Sequence, residues 1–265
     1  MSERVSVSID GDGVASVRLD RPEKRNACDL EMLDALGRTG AELAADRSLR
    51  AVVLSGAGPC FCAGLDTALF ANIDERLDEL LGSAPDAAGN RVQRAAWVWA
   101  ELPVPVIAAI HGAAFGAGLQ IALAADLRVV APDAQLAALE IAWGLIPDMG
   151  GAISLERLVG LDVAKLLVFT GRPLSGSEAR ARGLASELSE TPLERALELA
   201  REIARCSPDA VRAAKRLFAE VEALPLRRRF EREAALQRGL IGRANQLEAA
   251  RARREGRAPR FRDPD

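Results

Sequence analysis

The run Ala108-Ala109-Ile110-His111-Gly112-Ala113-Ala114-Phe115-Gly116-Ala117-Gly118-Leu119-Gln120-Ile121-Ala122-Leu123-Ala124 decides how the chain is read. Its apolar start reads as a buried strand, its small residues as a tight turn, and Leu119 onward as the first turns of a buried helix. Small side chains let backbone N–H groups approach a ligand without an intervening Cβ. The helix N-terminus adds partial positive charge at the same place, which suits a developing oxyanion. Downstream in the same stretch stand two carboxylates, Glu140 and Asp148, separated by Gly144 and Pro147.

Outward from this centre, Val5–Ile9 alternates as a half-buried strand does, Asp10-Gly11-Asp12-Gly13 is turn chemistry, and Val14–Leu19 returns as the second strand of a hairpin. Asp29 is placed to cap a helix running to Ala45. Arg50–Ser55 reads as a buried strand, followed by the loop Gly56–Asp66. Ala68–Leu81 reads as helical and Gly82–Gly89 as loose, a stretch expected to wall a pocket. In the helix Arg91–Glu101, Trp97 and Trp99 cannot share one face; packing in two different directions is the preferred reading, and one of them turned toward a pocket or partner is the alternative. Further strands are expected at Val104–Ile110, Asp126–Val130, Gln135–Leu139 and Gly183–Leu188. Helices are expected over 150–160, 161–169, 176–182, 192–205, 208–222, 226–239 and 244–255. Strands alternate with helices and then stop, which implies an α/β core, residues 1–195, and a helical C-terminal segment, residues 196–265. Arg251–Arg262 carries six arginines and reads as a polar, solvated tail.

Composition narrows the function classes. The 265 residues are 49% hydrophobic with a net charge of −3, enough for a sizeable core and without a global pull toward nucleic acid or membrane. A single histidine excludes a His-pair or three-His zinc site, so no metal is expected. Cys28, Cys60, Cys62 and Cys206 form no disulfide framework, and they are expected as inert reduced thiols. Met1–Arg4 lacks the apolar segment of a secretion signal, and a cytoplasmic location is expected. Leu102–Ala125, interrupted by prolines, a histidine and a glutamine, reads as buried structure and not a membrane span.

Several motifs in order resemble those of the crotonase family, the enoyl-CoA hydratase/isomerase superfamily. They are Leu19–Ala27, Phe61-Cys62-Ala63-Gly64-Leu65-Asp66, Gly116-Ala117-Gly118 with Leu119 and Gln120, Phe169–Arg172, Ala179–Leu184, Ser207–Ala210 with Lys215, and Glu255–Phe261. The resemblance implies a crotonase-like spiral of ββα turns with a helical C-terminal trimerisation segment, assembled as a homotrimer or a dimer of trimers. It implies acyl-CoA thioesters as substrates, with CoA as part of the substrate and no separate cofactor. The thioester oxygen would sit between the backbone N–H groups of Leu65 and Ala117. Ala63, Gly64, Asp66, Gly116, Gln120 and Trp143 would line the substrate pocket, and Arg25 with Ala63 and Leu65 would contact CoA.

The chain departs from the pattern at one acid. Family hydratases carry glutamates at the positions of Gln120 and Glu140, and a glutamine cannot exchange a proton. Asp148 stands where many hydratases have glycine, and with Glu140 it resembles the dienoyl-CoA isomerase branch. An aspartate there also occurs as the nucleophile of the aryl-CoA dehalogenase branch, which has tryptophan in place of Glu140. The first expectation is isomerisation of an enoyl- or dienoyl-CoA with Glu140 and Asp148 shuttling protons. The alternatives are hydration using Glu140 and a water, and a non-catalytic acyl-CoA binder. Read without the resemblance, Asp148 would be the N-cap of the next helix, Glu140 a surface carboxylate, and His111 a hydrogen-bonded core residue.

Overall fold

The computed structural model describes residues 4–72, 77–82 and 89–264. Strands β1 (Val5–Ile9) and β2 (Val14–Leu19) form the hairpin expected from the turn chemistry, with Val5 opposite Leu19 and Ile9 opposite Ala15. Helix α1 (Leu30–Ala45) is capped by Asp29, whose side chain accepts from the Met32 N–H. Strand β3 is Ala51–Gly56, α2 is Leu77–Leu81, and α3 is Arg91–Glu101, capped by a reciprocal Asn90–Gln93 box. The stretch expected as one helix over Ala68–Leu81 is instead a 3-10 segment, Thr67–Asn72, and the short α2. Most of the loose segment expected over Gly82–Gly89 lies outside the described residues.

Strands β4 (Val106–Ile110) and β5 (Ala113–Phe115) flank the turn at His111-Gly112, and α4 (Ala117–Leu123) follows. Then come β6 (Leu127–Val130), β7 (Gln135–Ala137), a 3-10 turn over Leu139–Trp143, α5 (Gly151–Val159), α6 (Leu161–Thr170), β8 (Leu174–Ser175), α7 (Gly176–Ala181) and β9 (Glu187–Leu188). Helices α8 (Pro192–Ala204), α9 (Pro208–Val221), α10 (Leu226–Leu240) and α11 (Ala244–Glu255) complete the chain. The strand expected to reach Leu139 ends at Ala137, because the backbone turns into the 3-10 segment that carries Glu140.

The strands form two sheets. The larger has the order β1-β2-β3-β4-β6-β9, parallel except for the β1–β2 hairpin; the smaller has the order β5-β7-β8. Period-two alternation divides the side chains of the large sheet. Val14, Ala51, Val53, Ile107, Ala109 and Val129 meet Ala196 and Ala200 of α8 on one face. Val17, Leu19, Val52, Leu54, Val106, Ala108 and Ile110 join the main core with Met32, Leu33 and Leu36 of α1 and Trp99 of α3 on the other. Both faces are covered, so these strands read as near-continuous apolar runs. Helix α8 crosses the boundary drawn at 195/196 and belongs by packing to the sheet.

Lys215 docks α9 on the core, its Nζ donating to the Val104 carbonyl at 2.9 Å and to Asp126 Oδ2 at 2.7 Å. The six arginines of Arg251–Arg262 are exposed as a solvated segment's would be, but the terminus is not a loose tail. Arg257 pairs with Glu248, the buried Asn245 holds the backbone of Arg262 from both sides, and Arg50 reaches Asp263. Pairing and backbone capture dock a segment whose composition reads as solvated.

Candidate active site

The turn after β5 and the loop after β3 meet at one place. Gly116 holds φ 49° and ψ −120°, a conformation suited to glycine, and its N–H donates to the Ala137 carbonyl. Loop and strand are stapled together by Cys62 N–H donating to the Ala113 carbonyl and Phe115 N–H donating to the Cys62 carbonyl, each at 3.0 Å. On the other side of the loop, Cys28 N–H donates to the Gly64 carbonyl and Asp66 N–H to the Cys28 carbonyl, fixing the backbone on both sides of Leu65. A Cβ placed on Gly64 would lie 3.0 Å from the Phe115 carbonyl oxygen and 4.0 Å from Ala117 N. The Leu65 and Ala117 segments are therefore neighbours. Among the described residues no loop or cap backbone hydrogen bond uses the Leu65 N–H or the Ala117 N–H. Ala117 is the first residue of α4, so its N–H lacks an intrahelical acceptor.

Both carboxylates come to this place. A Cβ on Gly116 would lie 3.5 Å from Glu140 Oε1, which puts Glu140 beside the N-terminus of α4. Glu140 Oε1 accepts from Gln120 Nε2 at 2.7 Å, while Glu140 Oε2 is buried without a hydrogen-bond partner among the described residues. Burial pushes the Glu140 carboxyl above its ordinary value; its own backbone amide and Gln120 oppose this and the charge of Asp148 adds to it. Asp148 is half-buried and is likewise raised by burial, opposed by its own backbone N–H. It is not the helix cap that its neighbours suggest: the cap position of α5 is Gly150, in a left-handed conformation that only its lack of a Cβ makes easy. Trp97 lies under this turn, where a Cβ on Gly150 would meet its ring, while Trp99 is buried with its indole N–H donating to the Ala95 carbonyl. The tryptophan pair thus divides between turn and core.

Other expected positions take different parts. Asp66 is held by Arg21 Nη1 at 2.7 Å and accepts from the Ala68 N–H, so it anchors the loop. Its carboxyl sits below the ordinary range for those two reasons, the Ala68 bond first. Ala63 N–H is committed to the Arg25 carbonyl. Arg25 adopts φ 51° with its side chain exposed, and among the described residues it forms no ion pair. Trp143 is 58% exposed, its ring centroid 5.2 Å from that of Phe70. His111 Nε2–H donates to the Gly58 carbonyl at 2.9 Å, which holds the loop and not a substrate.

Three residues with positional roles escape a reading of the sequence. Asn26 is fully buried at φ 57°; its Oδ1 accepts from Arg21 N–H and its Nδ2 donates to the Ala57, Cys60 and Phe61 carbonyls. Asparagine's tolerance of left-handed backbone was the available signal. Cys28 and Cys62, distant in sequence, bring their sulfurs to 3.7 Å beneath the loop.

Fold and site together define a mixed α/β protein in which the neighbouring Leu65 and Ala117 segments lie close to Glu140, with Glu140 and Asp148 both raised by burial. A sequence profile of the enoyl-CoA hydratase/isomerase family matches residues 10–264. The mitochondrial enoyl-CoA hydratase domain-containing protein 2 of Homo sapiens is 36% identical over 259 residues, covering 94% of this chain and 85% of that one. The mitochondrial methylglutaconyl-CoA hydratase of Mus musculus is 33% identical over 257 residues, covering 94% and 80%. The crystal structure of an enoyl-CoA hydratase from Bacillus anthracis is similar with a TM-score of 0.89 at 31% identity, covering 98% of this chain and 100% of that one. The chain belongs to the enoyl-CoA hydratase/isomerase family, the crotonase family.

Proposed function

We propose that this enzyme isomerises a carbon–carbon double bond of an enoyl- or dienoyl-CoA. The carrying observation is the carboxylate pair: Glu140 is fixed beside the α4 N-terminus with one buried oxygen free, and Asp148 is a second half-buried acid. For a 3-enoyl-CoA, Glu140 Oε2 takes a proton from C2. The C2–H electron pair becomes a dienolate whose charge gathers on the thioester oxygen between the amides of Leu65 and Ala117. Protonated Asp148 then delivers a proton to C4, leaving a 2-enoyl-CoA, and the two acids re-equilibrate through water. Burial favours a neutral acid at Asp148, the state this donor needs. Exposed Arg25 is the candidate cation for CoA phosphate.

Hydration is the second reading, because the named relatives are hydratases; there a water would be held by Glu140 beside Gln120. Comparing 2-enoyl-, 3-enoyl- and 3,5-dienoyl-CoA on the wild type, Asp148→Asn and Glu140→Gln decides between them. Isomerisation predicts turnover of the 3-enoyl or dienoyl substrate and its loss in both variants. Reaction of the 2-enoyl substrate alone, with Asp148→Asn unimpaired, would replace it with hydration. Tight acyl-CoA binding without deuterium uptake from heavy water would point to a binder.

We further place self-association, as a trimer or a dimer of trimers, on the C-terminal helices. Helix α10 buries no residue in the single chain, and Phe218, Leu226, Phe230, Ile241 and Leu247 are exposed. Sedimentation of the wild type against Phe218→Glu/Phe230→Glu tests this.

A further inference from the structure

Gln120 is only 4% exposed, and its amide joins three segments. Its Oε1 accepts from the N–H groups of Met149 at 2.7 Å and Gly151 at 3.1 Å. Its Nε2 donates to Glu140 Oε1 at 2.7 Å. The two backbone donors settle which end of the amide is oxygen, so the end facing Glu140 must be the N–H donor. One side chain, rooted in α4 two residues beyond Gly118, thus grips the 3-10 turn that carries Glu140. It also grips both backbone neighbours of Gly150 in the turn that carries Asp148. The fit is tight: a Cβ on Gly151 would lie 2.7 Å from Gln120 Oε1. The grip leaves Glu140 with a single unengaged oxygen, Oε2.

We infer that Gln120 is a positioning residue: it holds Glu140 by a direct hydrogen bond and Asp148 through the amides of its turn, and so sets the placement of the two acids relative to the amides of Leu65 and Ala117. This deepens the isomerase reading and rests on it for the roles of the two acids. The grip itself bears on any reaction that begins with proton removal at C2. Asp148, where ionised, adds to the raising of Glu140, so its displacement also registers in a pH profile.

The test uses the full-length enzyme and two readouts, deuterium exchange at C2 of a saturated acyl-CoA and isomerisation of a 3-enoyl-CoA. Exchange needs Glu140 and the two amides but not Asp148. Gln120→Met removes both grips. Its kcat for exchange should fall at least about tenfold, the rate equivalent of one hydrogen bond to a charged group, with KM changed less than about twofold. Its isomerisation should fall further, because both acids are displaced. The low-pH limb of exchange should move to higher pH, since the donor that favours the Glu140 carboxylate is gone. Gln120→Glu keeps an acceptor for Met149 and Gly151 but sets a second carboxyl against Glu140. Two carboxyls so close cannot both ionise, so exchange should be weak at neutral pH and recover only at higher pH. Should Gln120→Met fail to fold, the pH profile of Gln120→Glu carries the test alone. Wild-type kcat for exchange in Gln120→Met, or a wild-type pH profile in Gln120→Glu, would overturn the inference. A wild-type enzyme that exchanges C2 protons but does not isomerise would defeat the isomerase reading while leaving the grip of Gln120 on Glu140 to be judged by exchange.

Discussion

Replacing Ala117 by proline removes the N–H and puts ring carbons in its place at a position only 3% exposed. Ala117 is the first residue of α4, where proline's fixed φ is helical and its missing N–H breaks no intrahelical bond. The Ala117 N–H serves no loop or cap backbone bond among the described residues, so the fold loses no such partner. If that N–H receives the thioester oxygen, the transition state loses one of two donors, and the ring Cδ occupies the donor's place. A comparable loss costs about 2.7–4 kcal/mol, or about 10²–10³ in kcat. The assay is deuterium exchange at C2 of an acyl-CoA, with urea unfolding alongside. The expected result is exchange lowered by about that factor, with a stability cost of no more than about 1–3 kcal/mol from the added ring carbons. Exchange at the wild-type rate in a folded Ala117→Pro protein would refute the placement of the thioester oxygen.

Arg21→Met leaves Asp66 without the guanidinium 2.7 Å away and frees the Ala27 carbonyl. Both side chains of the pair are mostly buried, so a loss of about 2–3 kcal/mol is expected in urea unfolding. In Gly118→Ala, a change that helix propensity alone would favour, the new Cβ would lie 2.5 Å from the Cys62 carbonyl oxygen and 2.7 Å from Cys62 Cβ. Destabilisation by about 1–3 kcal/mol is expected instead, and a higher midpoint in urea would contradict this packing. The acids predict a stability trend with pH. Burial raises both Glu140 and Asp148, so the folded state holds protons that the unfolded chain has released. Their contribution to stability therefore falls as pH rises from the ordinary carboxylate value through the raised one. Asp148→Asn should flatten that fall in unfolding free energies measured across pH 4 to 8 (approximate bounds).

Much of this was legible in the sequence because local rules and tertiary demands agreed. The Asp10–Gly13 turn fixed the hairpin, Asp29 capped α1, and the apolar runs at β3 and β4 matched strands covered on both faces. Where a local signal competed with a distant partner, it misled. Asp148 has the neighbours of a helix cap, yet glycine at 150 takes the cap position of α5 and leaves the acid half-buried two residues before it. The arginines after Arg251 have the composition of a tail, yet Glu248 and Asn245 hold the backbone down. Gln120 showed only that an acid was absent. What its amide grips depends on Met149, Gly151 and Glu140, far along the chain, and no periodicity encodes such a meeting.

The Leu65 and Ala117 amides and the two acids are held by different parts of the fold. The Leu65 amide belongs to the loop after β3 of the large sheet, and the Ala117 amide to the helix after β5 of the small one. Their separation is set where the sheets join, by the exchange of backbone hydrogen bonds between Cys62 and the Ala113–Phe115 strand, and by Cys28 across Leu65. Asn26, at a left-handed position, fixes three carbonyls of the same loop from behind. None of these bonds uses a side chain that faces the two acids. The acids enter from a different layer, the 3-10 turn after β7 and the turn before α5. Gln120 therefore sits between the two layers without taking part in the bonds that hold the Leu65 and Ala117 segments. Its amide accepts from one turn and donates to the other, which an ionised carboxylate cannot do.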